Sequence, residues 1–232
     1  MYDISTLGSM LITFEGLDLC GKTTQANLLV EKLTMMQHSV QFIREPGGTL
    51  ISERIRDMLL DKTCSEMTDL AELFLFSASR TQVVSEVLLP SLRAGKIVVC
   101  DRYYDSTTAY QGYGRRLDLE AVRNINSIAT LATKPDITVL VDIPVDEISK
   151  RKAKAGIAFD RMESSGREFY NRVREGYLDI ARREHARFIT VDGTAPIGDV
   201  AQTIWRAIEG KLPSKEPLRE NIQSLGAGEE RS

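Results

Sequence analysis

The segment Leu11-Ile-Thr-Phe-Glu-Gly-Leu-Asp-Leu-Cys-Gly-Lys-Thr-Thr24 decides how the fold is read. Its first part, Leu11 to Glu15, is a short apolar run of strand formers. Its second part, Gly16 to Thr24, fits G-x-x-x-x-G-K-[ST]. Lys22 to Met36 then places Ala26, Leu29, Val30 and Leu33 at helical spacing. A strand, a glycine loop and a helix start in that order make an anion cradle. Glycines let backbone N–H groups curl around phosphate oxygens, and the helix N-terminus adds positive potential. Lys22 supplies a point charge, and the Thr23 hydroxyl suits a hard cation such as Mg2+. Gly16, Leu17, Asp18, Leu19, Cys20, Gly21, Lys22, Thr23 and Thr24 are therefore the expected nucleotide-phosphate site. The motif alone leaves ATPase, GTPase and kinase open.

Moving outward, short β-rich runs alternate with helical patterns. Val40 to Arg44, Lys96 to Cys100, Ile137 to Val141 and Phe188 to Val191 read as further strands. Ile51–Leu60, Met67–Arg93, Leu119–Leu131, Ser164–Glu184 and Ile197–Ile208 read as helices, with Pro90 ending or kinking the second of these near its C-terminus. Alternation of this kind predicts an α/β fold: a three-layer sandwich, with a five-stranded parallel sheet carrying helices on both faces. Right-handed crossovers place the loops after the strands along one edge, where ligands bind in such sheets. Glu15-Gly16, Arg44-Glu45, Asp101-Arg102 and Asp142 all fall there. Asp101 and Asp142 are candidates to hold a metal or its waters; for Asp142 a strand-end cap is an equal alternative.

The 232 residues suit one domain, expected over 10–212, with a short extension at 1–9 and a disordered tail at 213–232. The net charge of -3 points to neither nucleic acid nor membrane as a partner. No apolar run reaches the roughly 18–20 residues that cross a bilayer, and the start lacks a signal-peptide pattern. The three cysteines, Cys20, Cys64 and Cys100, are odd in number and widely spaced, which reads as reduced thiols in a cytoplasmic protein.

A second ligand is suggested by three arginines. Arg44 and Arg102 follow strands. Arg80 lies one helical turn after Phe76, so the pair can offer an aromatic plane and a bidentate donor on one face. Taken singly, Phe76 reads as core and Arg80 as a surface ion pair. Their coincidence with Arg44 and Arg102 favours a planar, anionic acceptor. No guanine-reading N-K-x-D pattern is present.

Phe14-Glu-Gly-Leu-Asp18, the glycine loop, Arg44-Glu-Pro-Gly-Gly-Thr49, Phe76-Ser-Ala-Ser-Arg80, Asp101-Arg-Tyr103, Ser106-Thr-Thr-Ala-Tyr-Gln-Gly112 and Asp160-Arg-Met-Glu163 together resemble thymidylate kinases, over about residues 10–208. The resemblance implies a P-loop, nucleoside-monophosphate-kinase-like fold. It also implies in-line phosphoryl transfer from Mg·ATP to dTMP, and a homodimer. It implies that Phe76 stacks on thymine, Arg80 contacts the base or acceptor phosphate, and Arg44 and Arg102 hold that phosphate. Thr107 and Gln111 lie along the nucleoside, and Tyr110 sits where a ribose 2′-OH would clash. Asp18 orients the acceptor and, with Thr23, Asp101 and Glu163, is a metal candidate; Asp160 lies near the sugar. The catalytic set is then Asp18, Lys22, Arg102 and Arg151. A kinase for dUMP or CMP is the nearest alternative, and a P-loop ATPase switch a more distant one.

Residues 150–154 carry four basic side chains in five positions, ahead of Gly156. They read as a lid, about 145–163, whose cations neutralise the transferring phosphoryl and exclude water. Some members of the family carry an arginine in the phosphate loop, where this chain has Leu19. Arg151 and Arg161 are the alternatives, with Lys152 and Lys154 in place of further arginines.

Overall fold

The computed structural model describes residues 8–155, 161 and 166–213. Asp160, Glu163 and most of the expected lid tip lie outside them, as do the extension before residue 8 and the tail after 213.

Five strands form one parallel sheet: β1 (Met10–Glu15), β2 (Val40–Arg44), β3 (Ile97–Asp101), β4 (Ile137–Asp142) and β5 (Phe188–Asp192). Their order is β2-β3-β1-β4-β5. β1 and β3 are central, and their side chains alternate between two cores, as a period of two requires. Ile12, Phe14, Ile97 and Val99 join one cluster. Leu11, Val98 and Cys100 join the other. Because β1 lies between β3 and β4, their C-terminal ends meet at one rim. That rim carries Glu15 and Gly16, Asp101 and Arg102, and Asp142.

Nine α-helices cover the sheet among the described residues. α1 (Lys22–Met35) packs beside α9 (Ile197–Ile208). α2 (Leu50–Leu60) and α3 (Asp69–Val83) pack together, capped by Thr49 and Thr68 side chains that accept from Ser52 N and Ala71 N. α3 does not run straight to Arg93. A π-helical turn over Val84–Leu88 precedes α4 (Leu89–Arg93), and Leu89 N–H reaches back to Val84 O. Pro90 is the cause: it has no N–H and its ring would strike the carbonyl four residues back, so the wider turn falls upstream of it. The chain therefore deforms before the proline rather than ending at it.

After β3 comes a short helix, α5 (Tyr104–Thr107), which widens into a π-helical run over Thr108–Gly114. α6 (Leu119–Ala129) follows, then α7 (Val145–Ala155) after β4, and α8 (Arg167–Arg183). α8 lies against the Tyr104–Gly114 run so closely that a Cβ on Gly114 would come within 2.6 Å of Phe169 and 2.8 Å of Val173. Asp105 is buried beneath this run and pairs with Arg187, Nη1 and Nη2 each at 2.8 Å, which seats α5 against the start of β5. No helix among the described residues is long and apolar enough to cross a membrane.

Candidate active site

The phosphate loop joins β1 to α1. Its backbone is left-handed at Gly21 (φ 101) and at Leu19 (φ 60). Gly21 caps α1 without a side-chain hydrogen bond, so the first-turn N–H groups of the helix have no capping side chain. Such donors, aligned with the helix dipole, bind anions. Lys22 is buried, its Nζ donating across the loop to Leu17 O at 3.3 Å. Cys20 is buried beneath the loop, and burial pushes its thiol above the usual range, so it is an inert thiol rather than a reactive one.

Thr23 donates its hydroxyl to Asp101 Oδ2. Asp101 Oδ1 is buried with no hydrogen-bond partner. An orphaned carboxylate oxygen beside a hydroxyl, at a phosphate-binding helix start, fits a hard divalent cation. Asp18 fits less well as a metal ligand here, since both of its oxygens are engaged. Oδ1 accepts from Arg102 Nη2 at 2.5 Å, and Oδ2 from Tyr110 at 2.9 Å and Tyr170 at 3.1 Å. Burial alone would raise the Asp18 pKa, yet Arg102 and Lys22 hold it below the usual carboxylate value. At Asp142, Arg174 on α8 clasps both side-chain oxygens at 2.8 Å, an ion pair rather than a strand-end cap.

A cavity opens beside Asp18. It is lined by Glu45, Pro46, Arg56, Leu60, Phe76, Arg102, Ser106, Thr107, Tyr110 and Gln111 as well as Asp18 itself. Phe76, Arg102, Thr107, Tyr110 and Gln111 are thus brought together, from α3, the end of β3 and the Tyr104–Gly114 run. Arg102 sits at φ 73, a left-handed turn rare for arginine that swings its guanidinium back over the loop. There Nη1 donates to Gly16 O at 3.0 Å, to Ser106 at 3.0 Å and to Tyr177 at 3.1 Å.

Three arginines stand elsewhere than the sequence suggests. Arg44 is half-exposed and pairs with Glu53 at 3.3 Å. Arg80 is fully buried behind the cavity wall: Nε meets Glu45 at 2.7 Å, Nη1 meets Thr107 at 2.7 Å and Nη2 meets Tyr103 O at 3.1 Å. Its link to the cavity therefore runs through Thr107 and Glu45. Arg151, on α7, donates to the carbonyls of Leu19, Cys20 and Gly193 at 2.7–3.1 Å and braces the back of the phosphate loop. Arg161 reaches the acceptor side, pairing with buried Glu72 at 2.7 Å.

Sequence reading missed Arg56, which lines the cavity and donates to Pro46 O at 2.9 Å. It also missed Tyr170 and Tyr177, which lie seven residues apart on one face of α8. No local pattern marks either, because their partners Asp18 and Arg102 are far away along the chain.

A glycine-loop cradle at a helix start, facing a separate cavity across a shared aspartate, defines a P-loop phosphotransferase of the nucleoside-monophosphate-kinase type. The family model for thymidylate kinase matches residues 14–204. A thymidylate kinase of Pelodictyon phaeoclathratiforme is 45% identical over 88% of this chain and 98% of its own. One of a Geobacter species is 43% identical over 93% of both. The crystal structure of thymidylate kinase from Ehrlichia chaffeensis superimposes with a TM-score of 0.72 at 36% identity, covering 87% of this chain and 99% of that one. This chain belongs to the thymidylate kinase family.

Proposed function

We propose that the protein transfers the terminal phosphoryl group of ATP to dTMP, yielding dTDP and ADP. One observation carries this reading: Asp18 belongs to the phosphate loop and to the acceptor cavity at once, and bonds Arg102 and Tyr110 there. A donor on the loop and an acceptor in the cavity then meet at one point, which is what direct in-line transfer needs. Phe76 offers its ring to the base, and Thr107 and Gln111 flank the nucleoside. Arg102 holds the acceptor phosphate, and Tyr110, tied to Asp18, closes the space a 2′-OH would need. Lys22 and the α1 N-terminus hold the donor phosphates. Thr23 and Asp101 are the residues that would hold Mg2+, which supplies charge neutralisation at the β- and γ-phosphates when bound. The unit is residues 10–212 as one domain. Its three free cysteines, Cys20, Cys64 and Cys100, suit the cytoplasm.

α2, α3 and α6 pack side by side and expose Ile51, Met58, Leu70, Phe74 and Ile128, the last at 74%. We take this face as the seat of a second copy.

The test is ADP release from Mg·ATP across dTMP, dUMP, CMP, GMP, thymidine and no acceptor. The expected result is turnover with dTMP, with dUMP trailing. Hydrolysis that ignores the acceptor would leave the ATP site standing and reject the kinase.

A further inference from the structure

Glu15 ends β1 and has no exposed surface. Its Oε1 accepts the Tyr103 backbone N–H at 2.8 Å. Its Oε2 accepts two hydroxyls, Ser106 at 2.5 Å and Tyr177 at 3.0 Å. Those same two hydroxyl oxygens receive Arg102 Nη1. They also lie 2.8 Å from each other.

Each hydroxyl has one proton to give. In its ionised form, which prevails above about pH 7, the carboxylate can only accept, so it draws both protons toward itself. Both hydroxyls must then turn lone pairs toward the guanidinium. Remove the carboxylate and one hydroxyl can donate to the other instead, so the two are no longer both held with their lone pairs toward Arg102. Glu15 also pins the peptide of Tyr103, directly after the left-handed Arg102. One carboxylate thus holds both ends of the arginine: the backbone that aims it and the acceptors that receive it. The hydroxyls come from different elements, Ser106 from α5 and Tyr177 from α8, so the same group ties three segments under the site.

We propose that Glu15 is the positioning residue for Arg102, setting where its guanidinium meets the acceptor phosphate. This rests on the reading of Arg102 as an acceptor-side group. Glu15 touches no substrate in this role and acts through Ser106 and Tyr177.

The experiment is a double-mutant cycle on dTMP and ATP kinetics, with Glu15→Gln, Arg102→Ala and both together. Glu15→Gln should raise KM for dTMP roughly tenfold, as expected for a lost charged hydrogen-bond network, and leave KM for ATP within about twofold. Added to Arg102→Ala, it should cost nothing further, since two residues acting as a unit are not additive. Tyr177→Phe keeps the core packing and removes one of the two hydroxyls. It should raise KM for dTMP in the same direction by a smaller factor, and this arm stands if Glu15→Gln fails to fold. Independent, additive losses in the double variant would overturn the proposal. So would equal losses for dTMP and ATP. An Arg102→Ala variant with unchanged KM for dTMP would instead reject the acceptor-side reading itself.

Discussion

At the scale of single residues, the buried charges set the terms. Arg80 and Glu45 are each 2% exposed and 2.7 Å apart. Breaking a buried pair by removing one partner leaves an uncompensated charge, which costs about 3–5 kcal/mol. Arg80→Ala should therefore lower the unfolding midpoint sharply as well as weaken dTMP, and denaturant unfolding beside kinetics checks both. Lys22→Ala differs. Its hydrogen bond to Leu17 O is long, at 3.3 Å, so turnover should fall about a hundredfold or more with the midpoint nearly kept. Glu15 adds a pH dependence. Burial first, then the nearby Asp105 charge, pushes it from 4.5 to about 7. The folded state thus keeps a proton that the unfolded chain releases, so this stability is full below about 4.5 and fades as pH rises through about 7. Thermal unfolding from pH 5 to 8 should show a decline that Glu15→Gln flattens. Phe76, Lys22 and Arg102 were legible because motif spacing marks them. Arg56, Tyr170 and the burial of Arg80 were not, because each depends on partners distant along the chain.

At the scale of elements, the phosphate loop lies against its neighbouring strand with no room to spare. A Cβ on Gly16 would stand 2.4 Å from Val141 O and 2.9 Å from Cys20 Sγ, at a φ of 142. Val141 O belongs to β4, whose sheet pairing cannot shift to make space. Gly16→Ala should thus destabilise the fold by about 1–3 kcal/mol and weaken ATP. A variant with normal ATP affinity and an unchanged denaturant midpoint would contradict this packing. Elements with a clear local pattern were readable from sequence: the five strands, α1, α2, α6, α8 and α9. Others were not. The π-helical turn before Pro90 depends on how α3 packs, and the basic run at 150–154 gave no sign that α7 would brace Leu19 and Cys20 through Arg151. The strand order β2-β3-β1-β4-β5 was also unreadable, because periodicity reports which face a residue occupies and never which strand lies beside it.

At the scale of the whole molecule, the two sides of the sheet are finished differently. Trp205 of α9 is covered by Lys32 of α1, 3.9 Å from its ring. α2, α3 and α6, by contrast, leave Ile51, Phe74 and Ile128 exposed on helices that touch one another. Large apolar side chains exposed on neighbouring helices suit an interface. A two-fold pairing would bring the same helices from each copy together and bury these side chains without any further partner. α3 also carries Phe76 and Glu72, so the face proposed to pair belongs to the same helix that walls the acceptor cavity. Ile128 is the cleanest probe, because a side chain 74% exposed contributes little to its own fold. Ile128→Glu should move the sedimenting species from twice the 25.9 kDa chain mass to the monomer, with the thermal midpoint of the monomer intact. Phe74→Glu, on the neighbouring helix, should do the same. A dimer that survives both charges would place the contact on another face, and a wild-type protein that sediments as a monomer would leave these side chains exposed with no partner copy to cover them.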